Sequence, residues 1–572
     1  MFLDPITWAE RYFYFDSSST YQGRWRLDRA PWLGDIMLSF ADPFVKTGTC
    51  RCSAQSAKTQ TALVLALWSL CEDPGPFLWV FPAIDEAKLF SATRLQESLQ
   101  ACEPVQGLLT NRKFDITDLE MQFVTAPLML TGAGSSSKLS SKPIRYLFLD
   151  EEKDMRKGAV NKALKRVRSK WDSKIWRMST PRAEDDSIDL AFQQGDQRFW
   201  HVQCPECSEG NPLEFEYLRY DAVGLSIRDI WYSCPNPICD HVWRDVPADR
   251  EWMNCEGVWI PHNPEADPAD RSWTWNAILP RWVSWRDIVS EWLKACAAND
   301  IGDREPLRVF WNETACRPGH YRNLRADKEI VRLSGTYSVK DYREPGSKIE
   351  NEFVRFATID RGKGHWWFLV RAWTSRGTSR LLAYEQVGTY ERLKELVTDY
   401  RIDHNLVFYD AGYEKVQVLR ECGENGWVAV HGLPNVDSFE HKVRGLGGRV
   451  VRVERKLFSQ FEYYSTGRGS APVRLINLAS NRLKDITAHL RSGQGKLWEV
   501  PGDIGGVYLN QLVREGREEV RNPRTGAVML AWQQGIKNNH AWDCEVYQTA
   551  AAMMAGVLGI QTETATAPAM AV

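Results

Sequence analysis

Residues 52–59, CSAQSAKT, combine the residue types of a loop that binds nucleotide phosphates. Such a loop turns backbone N–H groups inward, supplies a lysine to the β- and γ-phosphates, and places a Ser or Thr hydroxyl on Mg²⁺ as a helix begins. The pattern fits loosely, because Cys and Ala stand where glycines are usual, and an ordinary solvated lysine is the alternative. The loop residues are Cys52, Ser53, Ala54, Gln55, Ser56, Ala57, Lys58 and Thr59.

A pair of acids follows a strongly apolar segment further along the chain. Residues 146–149 run directly into Asp150 and Glu151. This order lets one carboxylate hold Mg²⁺ while the next polarises an attacking water. A strand that ends in a surface acid pair is the plainer alternative. Because the loop and the acids occur in the required order, the two motifs together predict hydrolysis of ATP.

Three widely separated aspartates form a second candidate site. Asp360 ends the strand-like segment RFATID, Asp410 ends LVFYD, and Asp543 lies in a late helical segment. Two-metal cleavage of a phosphodiester needs carboxylates from different elements, because one ion activates water while the other, about 3.5 to 4 Å away, stabilises the leaving oxygen. Each aspartate alone is equally consistent with a strand end or a helix cap. The set of three predicts a metal-dependent nuclease.

Four of the 13 cysteines occur as two close pairs. Four thiolates at tetrahedral positions form a closed structural site for Zn²⁺. The second pair is more widely spaced than usual, and four reduced cysteines in a small core are the alternative. His201 and His241 flank the pairs and offer substitute ligands. The spacing predicts a small, structural zinc-ribbon-like insert. The cysteines are Cys204, Cys207, Cys234 and Cys239.

The segments around these residues alternate between strand and helix patterns. In the N-terminal part, the helical segment TALVLALWSLCE, the strand-like FLWVFPA, a helix over 85–101 and the strand-like IRYLFLD follow one another. Such alternation predicts a mostly parallel sheet with its ligand site at the carboxyl ends of the strands. From near Phe353 a strand, a hairpin, a helix, a strand, a helix and a strand follow. The positions of the three aspartates in this order predict an RNase H-like fold.

Composition and charge exclude several classes of protein. The 572 residues exceed what one hydrophobic core organises, and 43% hydrophobic with 26% charged residues rule out a disordered or fibrous chain. The 72 Lys and Arg nearly balance the 74 Asp and Glu, so nucleic-acid binding must use local patches. Segments 151–182 and 442–456 are rich in Lys and Arg, although solvated surface is the alternative for both. No apolar run is long enough to span a membrane and no secretion signal begins the chain, so we expect an intracellular protein that is not secreted.

The motifs resemble those of a known family, the GpA-like (lambda-type) branch of the tailed-phage terminase large subunits. The similarity covers most of the chain and rests on SAQSAKTQ, LTGAGSSSKLSSKPIRYLFLDEEKDM, STP at 179–181, RVFWNETACRPG, DAGYEKV and NNHAWDCEVYQTAA. It implies an ATP-driven motor that moves double-stranded DNA into a procapsid, and an endonuclease that cuts concatemeric DNA. The implied partners are the terminase small subunit, the portal of the procapsid and further copies in a ring. The implied location is the host cell cytoplasm, transiently on the procapsid.

The resemblance also implies roles at the nucleotide site. Lys58 and Thr59 would bind phosphates and Mg²⁺, Asp150 would hold the metal, and Glu151 would activate water. Ser179 and Thr180 would couple hydrolysis to movement. Some relatives place an arginine inside the loop where this sequence has Ala54, and Arg51 just outside the loop is a candidate substitute.

At the nuclease site, the resemblance assigns the metals to Asp360, Asp410 and Asp543. Glu545 lies two residues after Asp543 and would face elsewhere on a helix. His540 would fall one turn earlier on the same face, where it is either a group near the metal or a helix-start residue. Lys484 resembles a family lysine that contacts the scissile phosphate, and a solvated helix lysine is the alternative.

The expected architecture is α/β, with a RecA-like P-loop ATPase domain that carries a zinc-ribbon insert, followed by an RNase H-like nuclease domain. The expected cofactors are ATP, Mg²⁺ with Mn²⁺ as an alternative at the nuclease site, and structural Zn²⁺. The expected boundaries are 1–197 for the P-loop ATPase domain, 198–262 for the insert, 263–345 for a connecting helical segment, 346–560 for the nuclease and 561–572 for a disordered tail.

Three other functions fit parts of the sequence. A repair helicase-nuclease also combines the two sites, but it separates strands whereas a packaging motor moves intact duplex. A DDE-type recombinase with a P-loop ATPase would join strands, whereas a packaging nuclease only cuts. A capsid-associated DNA-binding scaffold with decayed sites is disfavoured, because a lysine and acids remain at every expected position.

Overall fold

The computed structural model describes residues 2–15, 22–110, 117–135, 143–156, 158–318, 336–344, 347–444, 450–465, 472–493, 496–521, 528–534 and 538–559. The chain forms two compact units. The N-terminal unit is Met1–Leu293, Arg308–Arg322 and Arg521–Val528, and the C-terminal unit is Lys294–Leu307, Asn323–Val520 and Met529–Val572. Within the described ranges, none of the helices has the length and apolar character of a membrane span.

The first fifteen strands belong to the N-terminal unit. They are β1 (Tyr14–Phe15), β2 (Gly23–Arg24), β3 (Thr47–Cys52), β4 (Phe77–Phe81), β5 (Glu120–Gln122), β6 (Pro127–Gly132), β7 (Tyr146–Asp150), β8 (Lys174–Ser179), β9 (Arg198–Gln203), β10 (Gly210–Pro212), β11 (Leu218–Val223), β12 (Ser226–Ser233), β13 (Val242–Arg244), β14 (Gly257–Pro261) and β15 (Asp270–Trp275). The first eleven helices are α1 (Pro5–Tyr12), α2 (Leu33–Ala41), α3 (Lys58–Glu72), α4 (Ile84–Phe90), α5 (Gln96–Ala101), α6 (Glu103–Gln106), α7 (Ala159–Leu164), α8 (Ser187–Gln194), α9 (Pro247–Cys255), α10 (Trp285–Asp300) and α11 (Glu305–Val309).

A ten-stranded sheet organises the N-terminal unit. Its order is β10-β9-β15-β3-β8-β7-β4-β6-β5, with β14 paired to β9. Neighbouring strands from β9 to β6 run parallel. Every residue of β4 and β7 is buried, as expected for strands covered on both faces by helices. Because these strands are parallel, the carboxyl ends of β3, β7 and β8 share one edge, and this brings Cys52, Asp150 and Ser179 to the same side of the sheet.

Four strands of this sheet lie beyond residue 197, where the sequence predicts the ATPase domain to end. β9, β10 and β14 fall within the predicted insert, and β15 falls within the predicted connecting helical segment. β15 runs parallel to β3 in register, and its last four residues are buried. A pairing between segments so far apart leaves no local signal in the sequence. β11, β12 and β13 form a separate three-stranded sheet within residues 198–262, and the helices α10 and α11 follow later in the chain.

The C-terminal unit contains the remaining strands and helices. The strands are β16 (Glu352–Gly362), β17 (His365–Thr374), β18 (Ser379–Val387), β19 (Val407–Asp410), β20 (Val428–Leu433), β21 (Phe439–Arg444), β22 (Val450–Lys456), β23 (Glu462–Tyr464), β24 (Val473–Ala479), β25 (Trp498–Glu499), β26 (Glu515–Arg521) and β27 (Val528–Gln534). The helices are α12 (Tyr390–Asp399), α13 (Lys415–Asn425), α14 (Ser480–Arg491), α15 (Gly506–Leu512) and α16 (His540–Met554).

An eight-stranded sheet in the order β23-β24-β20-β19-β16-β17-β18-β25 forms the core of this unit. β16, β17 and β18 are antiparallel, whereas β16, β19, β20 and β24 run parallel. Trp542 and Cys544 of α16 are fully buried and belong to the same hydrophobic cluster as Phe356 and Leu369 of the sheet. The mixed α/β fold and the order of elements from Phe353 onward are as the sequence predicts. The predicted tail 561–572 lies outside the described residues.

Candidate active sites

The phosphate-loop candidate connects the end of β3 to the start of α3. Ser53 and Ser56 are buried, and the Ser56 hydroxyl donates a hydrogen bond to the Ser53 carbonyl oxygen at 2.6 Å. Ala57 adopts a left-handed backbone with φ of 70° directly before Lys58. Glycine adopts this conformation at the least cost, which is why glycine is usual at that position. The loop therefore makes the required tight turn without its glycines.

Lys58 is the buried cation of this site. Its ammonium nitrogen lies 2.8 Å from Oε1 of Glu151. Burial is the largest single influence and lowers the pKa of Lys58, but the charge of Glu151, its hydrogen bond and the nearby Cys52 and Asp150 together outweigh burial, so the net pKa is raised. Glu151 follows β7 with φ of 49°, a left-handed conformation that a glutamate holds only where its surroundings impose it. The protein thus neutralises one acid of the site with its own lysine.

Asp150 is buried beside this ion pair. Burial and the charge of Glu151 raise the pKa of Asp150 to about 7, although Lys58 opposes the shift. In the described part of the chain, Oδ1 of Asp150, Oε2 of Glu151 and the Ser53 hydroxyl are buried without a hydrogen-bond partner. Buried polar atoms are normally paired, so this set of oxygens suits a bound nucleotide with a hard divalent cation.

The segment RVFWNET supports the loop from the side. The Ala54 N–H donates a hydrogen bond to the carbonyl oxygen of Glu313 at 3.1 Å, and the Glu313 carboxylate lies 2.5 Å from Nζ of Lys153. Phe310–Thr314 forms a π-helical turn, a geometry that is frequent at functional sites. Sequence reasoning assigned Glu313 no role, because its importance arises from contacts with residues far away in the chain.

Ser179 and Thr180 lie at the end of β8, next to the acids of β7. The Ser179 hydroxyl accepts a hydrogen bond from the Lys153 N–H at 3.2 Å and donates one to the Thr180 carbonyl oxygen at 2.8 Å. Thr180 is buried, and its hydroxyl has no partner among the described residues. The STP segment therefore touches the chain just after Glu151.

Arg51, the candidate substitute for the loop arginine, is engaged elsewhere. Its guanidinium forms an ion pair with Asp189 of α8 and lies 3.9 Å from the centre of the Phe192 ring. This pairing fixes the side chain against α8. The structure therefore gives Arg51 a packing role.

The three candidate nuclease aspartates meet at one edge of the C-terminal sheet. Asp360 and Asp410 lie near the carboxyl ends of the adjacent parallel strands β16 and β19. Asp543 lies in the first turn of α16, the helix that packs on this sheet. Glu545 faces the other way, where it forms a fully buried ion pair with Arg371 at 2.8 Å.

Burial and mutual repulsion raise the pKa values of these acids. Burial, followed by the charge of Asp360, raises the pKa of Asp410 to about 7. Burial and the charges of Asp360 and Glu515 raise the pKa of Asp543 well above its ordinary value, and Lys484 opposes this shift. Three buried carboxylates in mutual repulsion are a suitable donor set for hard divalent cations, because bound cations relieve the repulsion.

Two further side chains orient the aspartates. Nδ1 of His540 lies 2.6 Å from Oδ2 of Asp360, and the His540 ring stacks on Trp367 with centroids 5.5 Å apart. The Tyr547 hydroxyl donates a hydrogen bond to Oδ1 of Asp410 at 2.8 Å. His540 therefore contacts a candidate metal ligand, and Tyr547, one turn after Asp543 on α16, is a residue that sequence reasoning missed.

Lys484 lies on α14 and is paired with an acid that sequence reasoning also missed. Its Nζ is 2.5 Å from Oε2 of Glu515, and the Asn539 side-chain amide donates to Oε1 of Glu515 at 2.6 Å. Glu515 begins the charge-rich segment EGREEVR, a composition typical of solvated surface. Only its burial and its contacts reveal a place beside Asp543.

The four paired cysteines form one compact cluster. Their Sγ atoms all lie within 4.8 Å of one another, and among the described residues this is the only group of three or more His, Cys, Asp or Glu ligand atoms so tightly gathered. Sγ of Cys204 is 3.8 Å from that of Cys239, and Sγ of Cys207 is 3.7 Å from that of Cys234. Disulfides need about 2.05 Å, whereas tetrahedral Zn–S bonds of about 2.3 Å place sulfurs about 3.8 Å apart. The cluster therefore has the spacing of a tetrahedral metal site.

The flanking histidines lie outside this cluster. Nε2 of His201 is 2.8 Å from Nε2 of His262, and the ring of His241 packs edge-on against Trp243. Four thiolates already complete a tetrahedral set, so the site needs neither histidine.

Two family models match this chain. The model described as phage terminase large subunit gpA, ATPase domain, matches residues 19–259, and the model described as terminase large subunit gpA, endonuclease domain, matches residues 445–563. The chain belongs to the gpA family of phage terminase large subunits. This terminase is therefore an ATPase and an endonuclease that acts in the packaging and cutting of phage DNA, and the helicase-nuclease and recombinase alternatives are not favoured.

Solved structures similar to this terminase come from other phages. The HK97 bacteriophage large terminase is 11% identical, with a TM-score of 0.34, and the match covers 98% of this chain and 99% of that chain. The ATPase domain of the Thermus phage P74-26 large terminase is 15% identical, with a TM-score of 0.28, and the match covers 48% of this chain and 88% of that chain. Among curated proteins, none matches this sequence.

The two basic segments of the terminase fall on different structures. Segment 151–182 covers the short elements between β7 and β8, then β8 itself and the STP residues that follow. Because these strands are parallel, the chain crosses here from the nucleotide edge of the sheet to the opposite edge, where Trp171 is 84% exposed. Segment 442–456 falls on β21 and β22, and the residues 445–449 between these strands, with their three glycines, lie outside the described residues.

Proposed function

We propose that the terminase hydrolyses ATP at the loop 52–59 with Asp150 and Glu151, and cuts DNA at Asp360, Asp410 and Asp543. At the nucleotide site, Lys58 binds the β- and γ-phosphates, Thr59 and Asp150 hold Mg²⁺, and Glu151 orients the attacking water and accepts its proton. Bound Mg²⁺ neutralises the charge that develops on the phosphates.

The ion pair between Lys58 and Glu151 provides a way for nucleotide binding to activate this site. In the absence of nucleotide, each charge is the partner of the other at 2.8 Å. A triphosphate carries more negative charge than one carboxylate, so it competes for Lys58. Glu151 then loses its partner and is free to take a proton from water. Its left-handed backbone keeps the carboxylate directed into the site.

Ser179 and Thr180 are suited to transmit the state of this site. The Ser179 hydroxyl accepts a hydrogen bond from the N–H of Lys153, two residues after Glu151, and the Lys153 side chain reaches Glu313. Glu313 in turn binds the Ala54 N–H of the loop. A movement of Glu151 is therefore passed through Lys153 to both the STP segment and the loop.

The nuclease site performs metal-dependent hydrolysis of a phosphodiester. Asp360, Asp410 and Asp543 hold Mg²⁺, or Mn²⁺ in its place, and the bound ions activate water and stabilise the leaving oxygen. His540 and Tyr547 fix the orientation of Asp360 and Asp410. Lys484 contacts the phosphate of the DNA.

The cysteine cluster binds Zn²⁺ in a structural role. All four thiolates are protein ligands, so no coordination position remains open for chemistry. The cluster ties the chain after β9 to the end of the β12 strand and the turn before β13, and so holds the insert together. The ligands are Cys204, Cys207, Cys234 and Cys239.

We assign the motor to the N-terminal unit and the nuclease to the C-terminal unit. As part of the packaging machinery, the chain acts on double-stranded DNA with the terminase small subunit, the portal of the procapsid and further copies in a ring. It works in the host cell cytoplasm and transiently on the procapsid.

One observation supports the proposal most: each set of acids lies at the carboxyl edge of its own parallel strands, where α/β proteins bind their ligands. The test compares the full chain with Lys58→Ala and Asp410→Asn in two assays, ATP turnover and plasmid cleavage with Mn²⁺. We expect Lys58→Ala to lose turnover and Asp410→Asn to lose cleavage while it keeps turnover. Plasmid cleavage that survives Asp410→Asn would remove this residue from the mechanism and contradict the nuclease assignment.

A further inference from the structure

Glu515 is a buried acid beside the nuclease site to which the proposed function gives no role. It is only 3% exposed. Asn539 donates to one carboxylate oxygen and Lys484 to the other, so both oxygens are engaged. Asn539 directly precedes His540, the residue that contacts Asp360. Glu515 therefore links Lys484 to the start of the helix that carries Asp543.

The hairpin β26–β27 brings Glu515 to this position. Two consecutive residues of α14, Lys484 and Asp485, pair with two residues of β26 that have the opposite charges, Glu515 and Arg517. The Trp532 indole of β27 also donates to Oδ1 of Asp485 at 2.8 Å. The two ion pairs have opposite polarity, so a shift that placed Arg517 opposite Lys484 would bring like charges together. The contact thus fixes one register and places Glu515 opposite Lys484.

We propose that Glu515 is a positioning residue of the nuclease, which holds the ammonium of Lys484 beside Asp543 for contact with the DNA phosphate. An ammonium group has three N–H donors, and the bond to Glu515 uses one of them. The remaining donors stay available for the phosphate oxygens. Without Glu515, the long Lys484 side chain samples several rotamers. Asp543, which Asp360 and Asp410 repel, then no longer has a positive charge held beside it. The inference rests on the proposed nuclease function of the three aspartates.

The test uses the full chain with Glu515→Gln, which keeps the size of the side chain and removes its charge. The matched control is Asp485→Asn, which breaks the neighbouring ion pair of the same hairpin and keeps an acceptor for Trp532. The first measurement is the rate at which an amine-reactive reagent labels Lys484, determined by mass spectrometry. The second is plasmid cleavage with Mn²⁺ at equal DNA occupancy. The cleavage measurement is repeated on a Lys484→Ala background.

We expect Glu515→Gln to raise the labelling rate of Lys484 about threefold or more, because the ion pair holds the Lys484 side chain in one place and shields it from the reagent. We expect cleavage to fall about tenfold while DNA occupancy stays unchanged. Asp485→Asn should alter both quantities less than about twofold. In the Lys484→Ala background, Glu515→Gln should cause no additional loss of cleavage, because residues that act as a unit are not additive.

Two results would overturn the inference. One is a labelling rate of Lys484 that does not change with Glu515→Gln. The other is a further loss of cleavage in the Lys484→Ala background together with weaker Mn²⁺ binding, which would make Glu515 a metal ligand. If the unaltered chain cuts no plasmid, the nuclease assignment fails by itself, and the labelling comparison still decides whether Glu515 holds Lys484.

Discussion

At the nucleotide site, Nζ of Lys58 lies 2.8 Å from Glu151, whereas Lys484 beside the nuclease aspartates is paired with Glu515. The first site thus carries its own counter-charge, and nucleotide must displace it. The second site leaves its aspartates in mutual repulsion, which Lys484 opposes at Asp543 and which bound cations would relieve further. We therefore expect different controls at the two acidic sites: competition for Lys58 at the first, and the supply of divalent metal at the second.

Glu151→Gln should produce the largest effect, because it removes the carboxylate that pairs with Lys58 at the nucleotide site. We expect ATP turnover to fall by about 10²–10⁴-fold, the contribution of a general base. Nucleotide should still bind, and bind more tightly, because Lys58 no longer has a competing partner. Phosphate release and equilibrium nucleotide binding measure the two quantities. Glu86→Gln, a nearby exposed acid, is the control, and equal turnover in both variants would contradict the role of Glu151.

The cysteine cluster can be compared with the two carboxylate sites, because its candidate metal ligands are thiolates. We expect about one zinc per chain, and loss of that zinc with Cys207→Ser. Because the metal would link the two cysteine pairs of the insert, loss of zinc should also lower the midpoint of thermal unfolding. Metal analysis and thermal unfolding provide the measurements, and Cys255→Ser, an exposed cysteine outside the cluster, should change neither. A chain that folds normally without zinc would show that the cysteines are ordinary core residues.

In metal-free protein, the repulsion among the nuclease aspartates should make the free energy of unfolding depend on pH. The folded-state pKa of Asp410 is about 7, above the value in the unfolded chain, so ionised Asp410 opposes folding. This cost is absent below about pH 4, grows as the pH rises, and is complete above about pH 7. Asp410→Asn removes the cost and should stabilise the chain by about 1 to 3 kcal/mol at pH 8, with a smaller gain at pH 5. Denaturant unfolding in the presence of a chelator tests this, and a gain that does not depend on pH would contradict it.

Local patterns in the sequence were enough to predict much of the fold. The apolar run before Asp150 and the helical run after Lys58 form β7 and α3, because each carries its own period and burial pattern. β15 could not be predicted in the same way. Its burial depends on β3, a strand far away in the sequence, and nothing within Asp270–Trp275 identifies that partner.

The candidate sites also divide into residues that local sequence reveals and residues that only distant contacts reveal. The loop and the acids stand out because their chemistry requires particular residue types at the ends of strands. Glu515 and Glu313 do not, because a lone glutamate is usually solvated. Arg51 shows a related limit, since its proximity in sequence to the loop does not reveal its pairing with Asp189 in this structure.

The most direct test of the difference between the two acidic sites is Mn²⁺ binding to the full chain at pH 8 without nucleotide, measured by equilibrium dialysis. The unaltered chain should bind Mn²⁺ at the nuclease site, Asp410→Asn should lose that binding, and Glu151→Gln should keep it. Mn²⁺ binding that is retained by Asp410→Asn and lost by Glu151→Gln would reverse the assignment of the metal-dependent site and contradict the account.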